Sequence, residues 1–346
     1  MSYRPLGRTG VRVSPLTLGA MNFGANGNPD HDDSVRIIHA ALDAGINVID
    51  TADVYSQGES ETIVGRALAG GRRDDVVLAT KFHGAIGDGI NHRGNSRRWI
   101  HRAVEDSLRR LGTDHIDLYQ VHRPEPDTDL DDTLGALSDL VHQGKIRYVG
   151  TSTFEPHEIV EAQWTAQRRN RERPVTEQPP YSILARGAER AVLPLAQRYG
   201  LGVLPWSPLA GGWLSGRYRR DQADPGPSRR TGRQPARHDP ELAANQLKRA
   251  AADALTGLAD EAGLSLIHLS LAFVLHHPAV SSVIIGPRTL EHLTSYLGAV
   301  KVELDDDLLD RIDAIVPPGV TLNPADAGYQ PPSLTDPTVR RRSRPN

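Results

Sequence analysis

The segment VIDTADVY at residues 48–55 is a short apolar run that ends in polar residues. VVLATK at residues 76–81 and IDLYQVH at residues 116–122 have the same form. Runs of this length are typical of buried strands, and parallel strands end at one edge of their sheet. We therefore expect the polar side chains at the ends of these runs to converge: Asp50, Tyr55, Lys81 and His122.

Eight such apolar runs predict strands at residues 15–19, 47–50, 76–80, 116–121, 146–151, 175–178, 202–206 and 282–285. Between them, amphipathic segments predict helices at residues 32–44, 59–68, 97–111, 131–143, 156–169, 189–199 and 266–276. Short strands that alternate with helices specify a parallel sheet covered by helices.

An open doubly wound sheet and a closed barrel are the two architectures that contain such a sheet. An open dinucleotide-binding sheet carries a GxGxxG loop after its first strand, but residues 19–24 read GAMNFG. Eight strands with polar residues at several strand ends fit a barrel, and 346 residues is an ordinary length for one. We predict a single-domain (β/α)8 TIM barrel over residues 1–316.

Two segments depart from this alternation. Residues 217–239, after the seventh predicted strand, are crowded with Arg, Pro, Gly and Asp and predict a long mobile loop. Residues 317–346 are rich in proline and end in RRRSRPN, which predicts a flexible, irregular C-terminal tail.

The composition excludes several classes of function. A formal net charge of −3 offers no general attraction to nucleic acid or membranes, and no apolar run approaches the ~20 residues of a membrane span. Without cysteine there is no disulfide, thiol catalysis or cysteine-ligated metal. The 14 histidines show no metal-ligand spacing at strand ends, so we predict no metal site and no metal-dependent hydrolase. The chain start lacks the apolar core of a signal peptide, which makes the cytoplasm the expected location.

Each of the four strand-end residues, taken alone, also has a purely structural interpretation as a helix cap or as core packing. Lys81 is the most informative, because only four of the 40 Lys and Arg residues are lysines. Lysine is a compact point charge, whereas arginine is a planar fork. A phenol beside an ammonium can donate a proton, a carboxylate can hold the ammonium, and an imidazole can orient a carbonyl. The set predicts proton delivery coupled to a hydride transfer.

A phosphate site is expected after the seventh and eighth strands, where barrels often bind phosphate. WSPLAGGWLSGR at residues 206–217 and GPRT at residues 286–289 follow these strands, and the second opens a helix. Glycines allow close backbone approach, a helix N-terminus attracts anions, and Arg288 can bind a phosphate through two hydrogen bonds. Each segment alone is also compatible with an ordinary turn.

The chain resembles the aldo-keto reductases from about residue 6 to residue 316, and most closely the bacterial members related to potassium-channel β-subunits. The motifs that carry the resemblance are LGRTG at 6–10, GINVIDTA at 45–52 with Tyr55, TK at 80–81, YQVH at 119–122, GTS at 150–152, Gln178, WSPL at 206–209 and IGPR at 285–288. The resemblance implies NADPH-dependent reduction of an aldehyde or ketone, with NADH a weaker cofactor.

By position in the family, Tyr55 is the proton donor, Lys81 makes its phenol more acidic, Asp50 pairs with Lys81, and His122 orients the carbonyl. The residues implied to bind the cofactor are Ser152, Gln178, Trp206, Ser207, Leu209, Gly211, Arg217, Gly286, Arg288 and His292. His292 and Tyr296 replace the residues that commonly recognise adenine in relatives, and Arg217 replaces a frequent lysine.

The expected partner is a small carbonyl compound, and we expect its pocket to be lined by Met21, Phe23, Val54, Phe82, Trp99 and Arg123. Two alternatives stay open. One is an NADPH-binding sensor or partner subunit with little turnover, and the other is a reductase of keto-sugars or other secondary-metabolite intermediates. His122 favours a carbonyl over an activated alkene, because relatives that reduce steroid double bonds carry an acid at its position.

Overall fold

A computed structural model of the chain describes residues 1–218 and 234–340. Eight parallel strands pair in chain order, and each neighbours the next. They are β1 (Leu16–Gly19), β2 (Val48–Asp50), β3 (Val77–Phe82), β4 (Ile116–Val121), β5 (Ile146–Ser152), β6 (Pro174–Gln178), β7 (Gly202–Val203) and β8 (Val283–Ile285). The prediction of eight parallel strands is confirmed, with each strand inside or within two residues of its predicted range, except that β7 ends earlier.

The sheet closes on itself. β8 pairs with β1, and on its other side the backbone N–H of Ile284 donates to the carbonyl of Pro205, at 3.0 Å, just beyond β7. Ser281 likewise donates to Val203, at 2.9 Å. Every strand therefore has two neighbours, and the fold is the (β/α)8 barrel predicted from the sequence.

Helices cover the outside of the barrel. Among the described residues, those of eight residues or more are α1 (His31–Asp43), α2 (Glu59–Leu68), α3 (Arg97–Leu111), α4 (Leu130–His142), α5 (Pro156–Arg169), α6 (Val192–Tyr199), α7 (Ala243–Glu261), α8 (Leu266–His276), α9 (Leu290–Leu297) and α10 (Asp306–Ile315). Side chains of Asp30, Ser96 and Ser265 cap the first free N–H groups of their helices, which is why the chain turns into α1, α3 and α8 at these points.

Inside the barrel, an apolar layer lies below a polar one. A short hairpin, Arg4–Pro5 with Arg12–Val13, brings Leu6 and Val13 into an apolar cluster with side chains of the barrel strands: Val48, Ala79, Leu118, Leu204 and Ile284. Side chains of a strand alternate between its faces, so residues two positions further along point the same way. Those residues are Asp50, Lys81 and Gln120, and they lie at the carboxyl edge.

The C-terminal segment differs in part from its prediction. We expected an irregular, solvated tail from residue 317, yet the carbonyl of Val320 accepts a hydrogen bond from the backbone of Arg186 and Asp326 is 3% exposed. Buried hydrogen bonds and ion pairs hold this segment to the barrel up to Gly328. It then forms two four-residue helices, Pro332–Thr335 and Pro337–Arg340, and residues 341–346 lie outside the described part.

The predicted mobile loop at 217–239 lies mostly outside the described residues. Where the structure resumes, Pro235–His238 form one helical turn against the barrel. Within the described ranges, no single helix is long and apolar enough to cross a membrane; one pair, Pro235–Glu261 with Leu266–His276, has the necessary length and composition but is bent by 95°.

Candidate active site

A buried ion pair forms the centre of the polar layer. The Nζ atom of Lys81 donates to Oδ2 of Asp50 at 2.5 Å and to the carbonyl of Thr51 at 2.8 Å. The side chains of Lys81 and Asp50 are 0% and 4% exposed. A buried ammonium needs such partners, because an isolated charge is costly to remove from water.

Two amides complete the shell of the Asp50 carboxylate. The Nε2 atoms of Gln120 and Gln178 each donate to Oδ1 of Asp50 at 3.0 Å, and Gln178 also donates to Oε1 of Gln120 at 3.2 Å. Asp50 is thereby fixed by three strands, β3, β4 and β6. Its position determines where the Lys81 ammonium stands.

Tyr55 and His122 lie on the open side of the ammonium. Nζ of Lys81 is 3.3 Å from the Tyr55 hydroxyl and 5.0 Å from the ring centroid. The imidazole of His122 meets the phenol edge-on, with centroids 5.8 Å apart and planes at 82°. The structure therefore brings all four predicted residues together.

The charge states of two groups follow from their surroundings. Burial acts to lower the pKa of Lys81, but the Asp50 carboxylate and Tyr55 outweigh it, so the pKa is raised and the amine stays protonated. Desolvation, together with the positive charges of Lys81 and Arg123, holds the pKa of His122 well below its ordinary value. The site thus presents a charged ammonium and a neutral imidazole.

The backbone is strained around this edge. Within the described residues, seven non-glycine residues have positive φ, and six of them follow barrel strands: Ser56, Gln57, His83, Thr153, Ser207 and Ala210. The seventh, Asn170, ends α5. Such conformations cost roughly 1–3 kcal/mol each and cluster at functional sites, so their distribution marks the carboxyl edge as the site.

Two of the residues predicted to hold a nicotinamide, Ser152 and Gln178, bond to each other, and Gln178 also bonds to Asp50. The Ser152 hydroxyl at the end of β5 donates to the carbonyl of Gln178 at 3.0 Å, and both residues are almost fully buried. Trp206 follows β7, where its indole is partly exposed and packs against Gly328. A side chain at Gly328 would approach Cζ2 of the indole to 2.5 Å.

Two of the predicted cofactor residues in the loop after β7 have a left-handed backbone. Ser207 and Gly211 have φ of 60° and 71°, and Leu209 packs partly buried on the core. Gly211 faces His238, whose ring a Cβ would approach to 2.5 Å. Arg217 is exposed at the end of the first described range.

The loop after β8 leads into α9. The carbonyl of Gly286 accepts a hydrogen bond from Asn22 at 2.8 Å, and Thr289 caps α9. Arg288 is exposed one residue before this cap, and the ring of His292 stacks on Tyr296 with centroids 6.5 Å apart. A guanidinium and a helix N-terminus therefore stand side by side, as predicted.

The predicted pocket residues divide into two groups. Met21 is 49% exposed, and Val54 and Arg123 are partly buried beside the site. Three aromatic side chains are instead enclosed in the core and expose at most 2% of their surface: Phe23, Phe82 and Trp99. That these three side chains line the substrate pocket stays a prediction.

Sequence reasoning missed Gln120 and the segment at residues 235–238. Gln120 is an amide on the inward face of its strand, two residues before His122, and this pattern could have identified it. The Arg237 carbonyl accepts a hydrogen bond from the Trp213 indole at 3.1 Å, and no local sequence pattern reports that contact. Across residues 1–218 and 234–340, no cluster of three or more His, Cys, Asp or Glu side chains could hold a metal ion.

The comparison with known proteins agrees with this geometry. The chain matches the Aldo/keto reductase family over residues 15–317. The chain belongs to this family. It is 41% identical to the uncharacterized oxidoreductase YrpG of Bacillus subtilis, over 92% of this chain and 96% of that protein. It is also 35% identical to a probable voltage-gated potassium channel subunit beta of Oryza sativa, over 91% and 97% of the two chains.

A third relative is the aldo-keto reductase AMT2 of Alternaria alternata, 33% identical over 90% of each chain. Together, the family and these relatives support an oxidoreductase whose family reduces small carbonyl compounds with nicotinamide cofactors. The expectation that the chain resembles the potassium-channel β-subunits is confirmed by the relatives from rice and from Arabidopsis thaliana.

Proposed function

We propose that the protein reduces an aldehyde or ketone to the alcohol with NADPH, and that Tyr55 donates the proton. The observation that carries this proposal is the position of the Lys81 ammonium, 2.5 Å from Asp50 and 3.3 Å from the Tyr55 hydroxyl. A buried lysine that only stabilised the fold would not have to contact a phenol at the open carboxyl edge of the barrel.

Proton transfer starts at the Tyr55 hydroxyl. A phenol is a weak acid with a pKa near ~10, and a nearby cation stabilises its anion. Lys81 supplies that cation, and the Asp50 ion pair stops the ammonium from moving away. A positioned acid of this kind typically contributes ~10²–10⁴-fold to the rate.

His122 orients the carbonyl. Because its pKa is well below the ordinary value, the imidazole is neutral at physiological pH and presents one N–H donor. Its edge-on contact with Tyr55 brings that donor toward the same acceptor oxygen. The carbonyl oxygen then receives two hydrogen bonds, one from each ring.

The residues at the carboxyl edge fit an extended nicotinamide cofactor, which supplies the hydride when bound. Ser152 and Gln178 would hold the carboxamide, and Trp206 would stack on the ring. The left-handed backbone of Ser207 and Gly211 leaves room for close approach of a pyrophosphate, with Leu209 and Arg217 on the same loop.

At the other end of the cofactor, Gly286 and Arg288 precede the capped N-terminus of α9, which favours a phosphate. The guanidinium of Arg288 would bind the 2′-phosphate and so favour NADPH over NADH. His292 and Tyr296, stacked on each other, would stand beside the adenine.

A carbonyl panel tests the proposal. Purified protein is mixed with NADPH and each of a set of reactive aldehydes and ketones, and NADPH oxidation is followed by absorbance. We expect turnover with at least the reactive aldehydes, and formation of one alcohol for each NADPH consumed. Tight NADPH binding without oxidation across the panel would contradict the proposed catalysis.

That outcome would favour the second candidate, an NADPH-binding sensor or partner subunit. The relatives from rice and from Arabidopsis thaliana, named as probable potassium channel subunits beta, support it. Because both candidates use the same cofactor site, only turnover separates them.

A further inference from the structure

Arg123 is a partly buried arginine whose hydrogen-bond acceptors are all neutral. It directly follows His122 at the carboxyl end of β4. Its Nη1 donates to the His122 carbonyl at 2.5 Å and to the Thr153 hydroxyl at 3.2 Å, and both acceptors are neutral. In the part of the chain that the structure describes, no ion pair includes this guanidinium.

Arg4 is also partly buried and donates to the carbonyls of Leu275 and Val280, but four other arginines of low exposure contact carboxylates. The side chains concerned are 5–21% exposed, and their pairs are Arg73 with Asp117, Arg110 with Glu61, Arg186 with Asp313 and Arg237 with Asp326. A buried guanidinium without a counter-charge is costly unless a ligand supplies one. Arg123 therefore differs from them in lacking an acidic partner.

The surroundings of Arg123 add positive charge. Its Cζ atom lies 5.9 Å from the ring centroid of Trp206, and the Cζ atom of Arg237 lies 5.6 Å from the same centroid. The carboxylate that pairs with Arg237, Asp326, is shared with Lys248. Arg237 and Lys248 thus share one carboxylate, and Arg123 adds a third positive charge beside the same indole.

Glu177 offers only a weak counter-charge. Burial lowers the pKa of Arg123, while Tyr55 and Glu177 act to raise it. However, burial also raises the pKa of Glu177 to about 7, and its carboxyl group already accepts hydrogen bonds from Thr151 and the backbone of Phe154. At neutral pH this acid is only partly ionised.

The 2′-phosphate expected at Arg288 does not account for Arg123. In a closed barrel of eight strands, β4 lies diametrically opposite β8, where Arg288 and the N-terminus of α9 stand. An anion at Arg123 would instead lie beside His122 and Trp206, next to the reacting carbonyl. The carbonyl substrate has to reach this same place to react, so it can bring such an anion to Arg123.

We propose that Arg123 binds an anionic group of the carbonyl substrate, a carboxylate or a phosphate, and so selects acidic aldehydes or ketones. This inference rests on the proposed function, because it assigns a substrate class to the same site. A guanidinium matches the two oxygens of either group through paired hydrogen bonds.

The test compares two aldehydes of the same shape, 4-carboxybenzaldehyde and the neutral 4-formylbenzamide, by kcat/KM with NADPH. A charge-assisted contact predicts a preference for the carboxylate of about 10- to 100-fold. A third aldehyde, 4-formylphenyl phosphate, decides between the two anions: the one with the larger kcat/KM is the group that the site selects.

Three variants separate binding from structure. Arg123→Gln should bring the preference ratio close to one, mainly through KM of the anionic aldehyde, and Arg123→Lys should retain part of it. Arg168→Gln removes a positive charge on α5, outside the site, and should leave the ratio unchanged. NADPH affinity, measured by titration, should change less than about threefold in both Arg123 variants.

Three results would overturn the inference. They are equal kcat/KM for the charged and neutral aldehydes, a ratio that survives Arg123→Gln, and a loss of NADPH affinity that matches the loss of activity. If neither aldehyde is reduced, the carbonyl panel described above decides the proposed function. The inference is then tested by calorimetric titration of 4-carboxybenzaldehyde and 4-formylbenzamide into the protein with NADPH, where equal affinity would reject it.

Discussion

The two sides of the carboxyl edge are built differently. At the ends of β2, β3 and β4, charged and polar side chains project from strands, and Lys81 and Asp50 are buried with every contact made within the protein. After β7 and β8, the expected phosphate contacts come from loops, and Arg288 is exposed. The geometry of the first side is fixed by contacts within the protein, whereas the second side presents exposed loop groups to a ligand.

The physical reason lies in solvation. A buried ammonium must be paired in the folded protein, so its geometry is fixed before any ligand arrives. An exposed guanidinium is hydrated and mobile, and it gains order only when a phosphate binds. Substitutions on the strand side should therefore change catalysis and stability, whereas those on the loop side should change cofactor affinity alone.

The largest effect is expected for Tyr55→Phe. Removal of the hydroxyl removes the proton donor but leaves the ring, so turnover should fall by ~10²-fold or more while NADPH affinity stays near normal. Steady-state kinetics and cofactor titration measure the two quantities.

Tyr3→Phe is the matched control, because the Tyr3 hydroxyl contacts only the carbonyl of Gly45 near the opposite end of the barrel. A Tyr55→Phe protein with near-normal turnover would assign the proton to another residue or to water.

Lys81→Met tests whether the strand side contributes to the stability of the fold. It leaves the Asp50 carboxylate buried without its cation, so the free energy of unfolding should fall by ~3–5 kcal/mol. Lys81→Arg keeps the charge but should also lose activity, because a fork does not fit the compact site. Denaturant unfolding followed by circular dichroism measures the change.

Lys145→Met provides the surface comparison. Lys145 pairs with Glu105 on the outside of the barrel, where an ion pair contributes ~0–1 kcal/mol. Equal destabilisation by the two substitutions would show that the buried ion pair contributes no more to the free energy of unfolding than the surface pair.

Glu177 predicts a pH dependence on the strand side. Burial raises its pKa from the ordinary 4.5 to about 7 in the folded protein, so between these values the folded protein binds more protons than the unfolded chain. The free energy of unfolding should therefore fall as pH rises through this window, by ~3 kcal/mol at most.

Glu177→Gln keeps an acceptor for Thr151 and removes the titration. The difference in unfolding free energy between wild type and variant should grow from pH 4.5 to pH 7 in favour of the variant. The variant is needed because His122 acts in the opposite direction. Its pKa is lowered in the folded protein, so below about pH 6.5 it makes the free energy of unfolding rise with pH. A constant difference across the window would contradict the prediction.

On the loop side, the effect should be confined to cofactor binding. Arg288→Ala should weaken NADPH binding by one or two charge-assisted hydrogen bonds, about 1.5–3 kcal/mol each, and barely affect NADH. Pro287 has neither a hydroxyl nor an amide hydrogen, so it gives no help with the phosphate.

Calorimetric titration of both cofactors into wild type, Arg288→Ala and the surface control Arg109→Ala measures this difference. If NADH and NADPH weaken equally, Arg288 serves the fold or the pyrophosphate, and the loop side does not distinguish the two cofactors.

Much of the fold was predictable because buried strands and amphipathic helices leave local patterns. The run at residues 116–121 predicted β4 with its observed bounds, Ile116–Val121. The N-terminal hairpin was missed because its strands are two residues long and show no periodicity. The C-terminal segment reads as a solvated tail because its single buried acid, Asp326, meets its partners only in three dimensions.

The sequence by itself determined the order of strands and helices, the strand ends at which Asp50, Lys81 and His122 stand, and the family. These follow from patterns within a few residues of chain. Only the tertiary structure decided that Gln120 and Gln178, 70 and 128 residues from Asp50 along the chain, donate to one carboxylate. It alone also placed Arg123 beside Trp206 without an acidic partner among the described residues. Such contacts depend on barrel closure, which brings distant strands together and has no local signature.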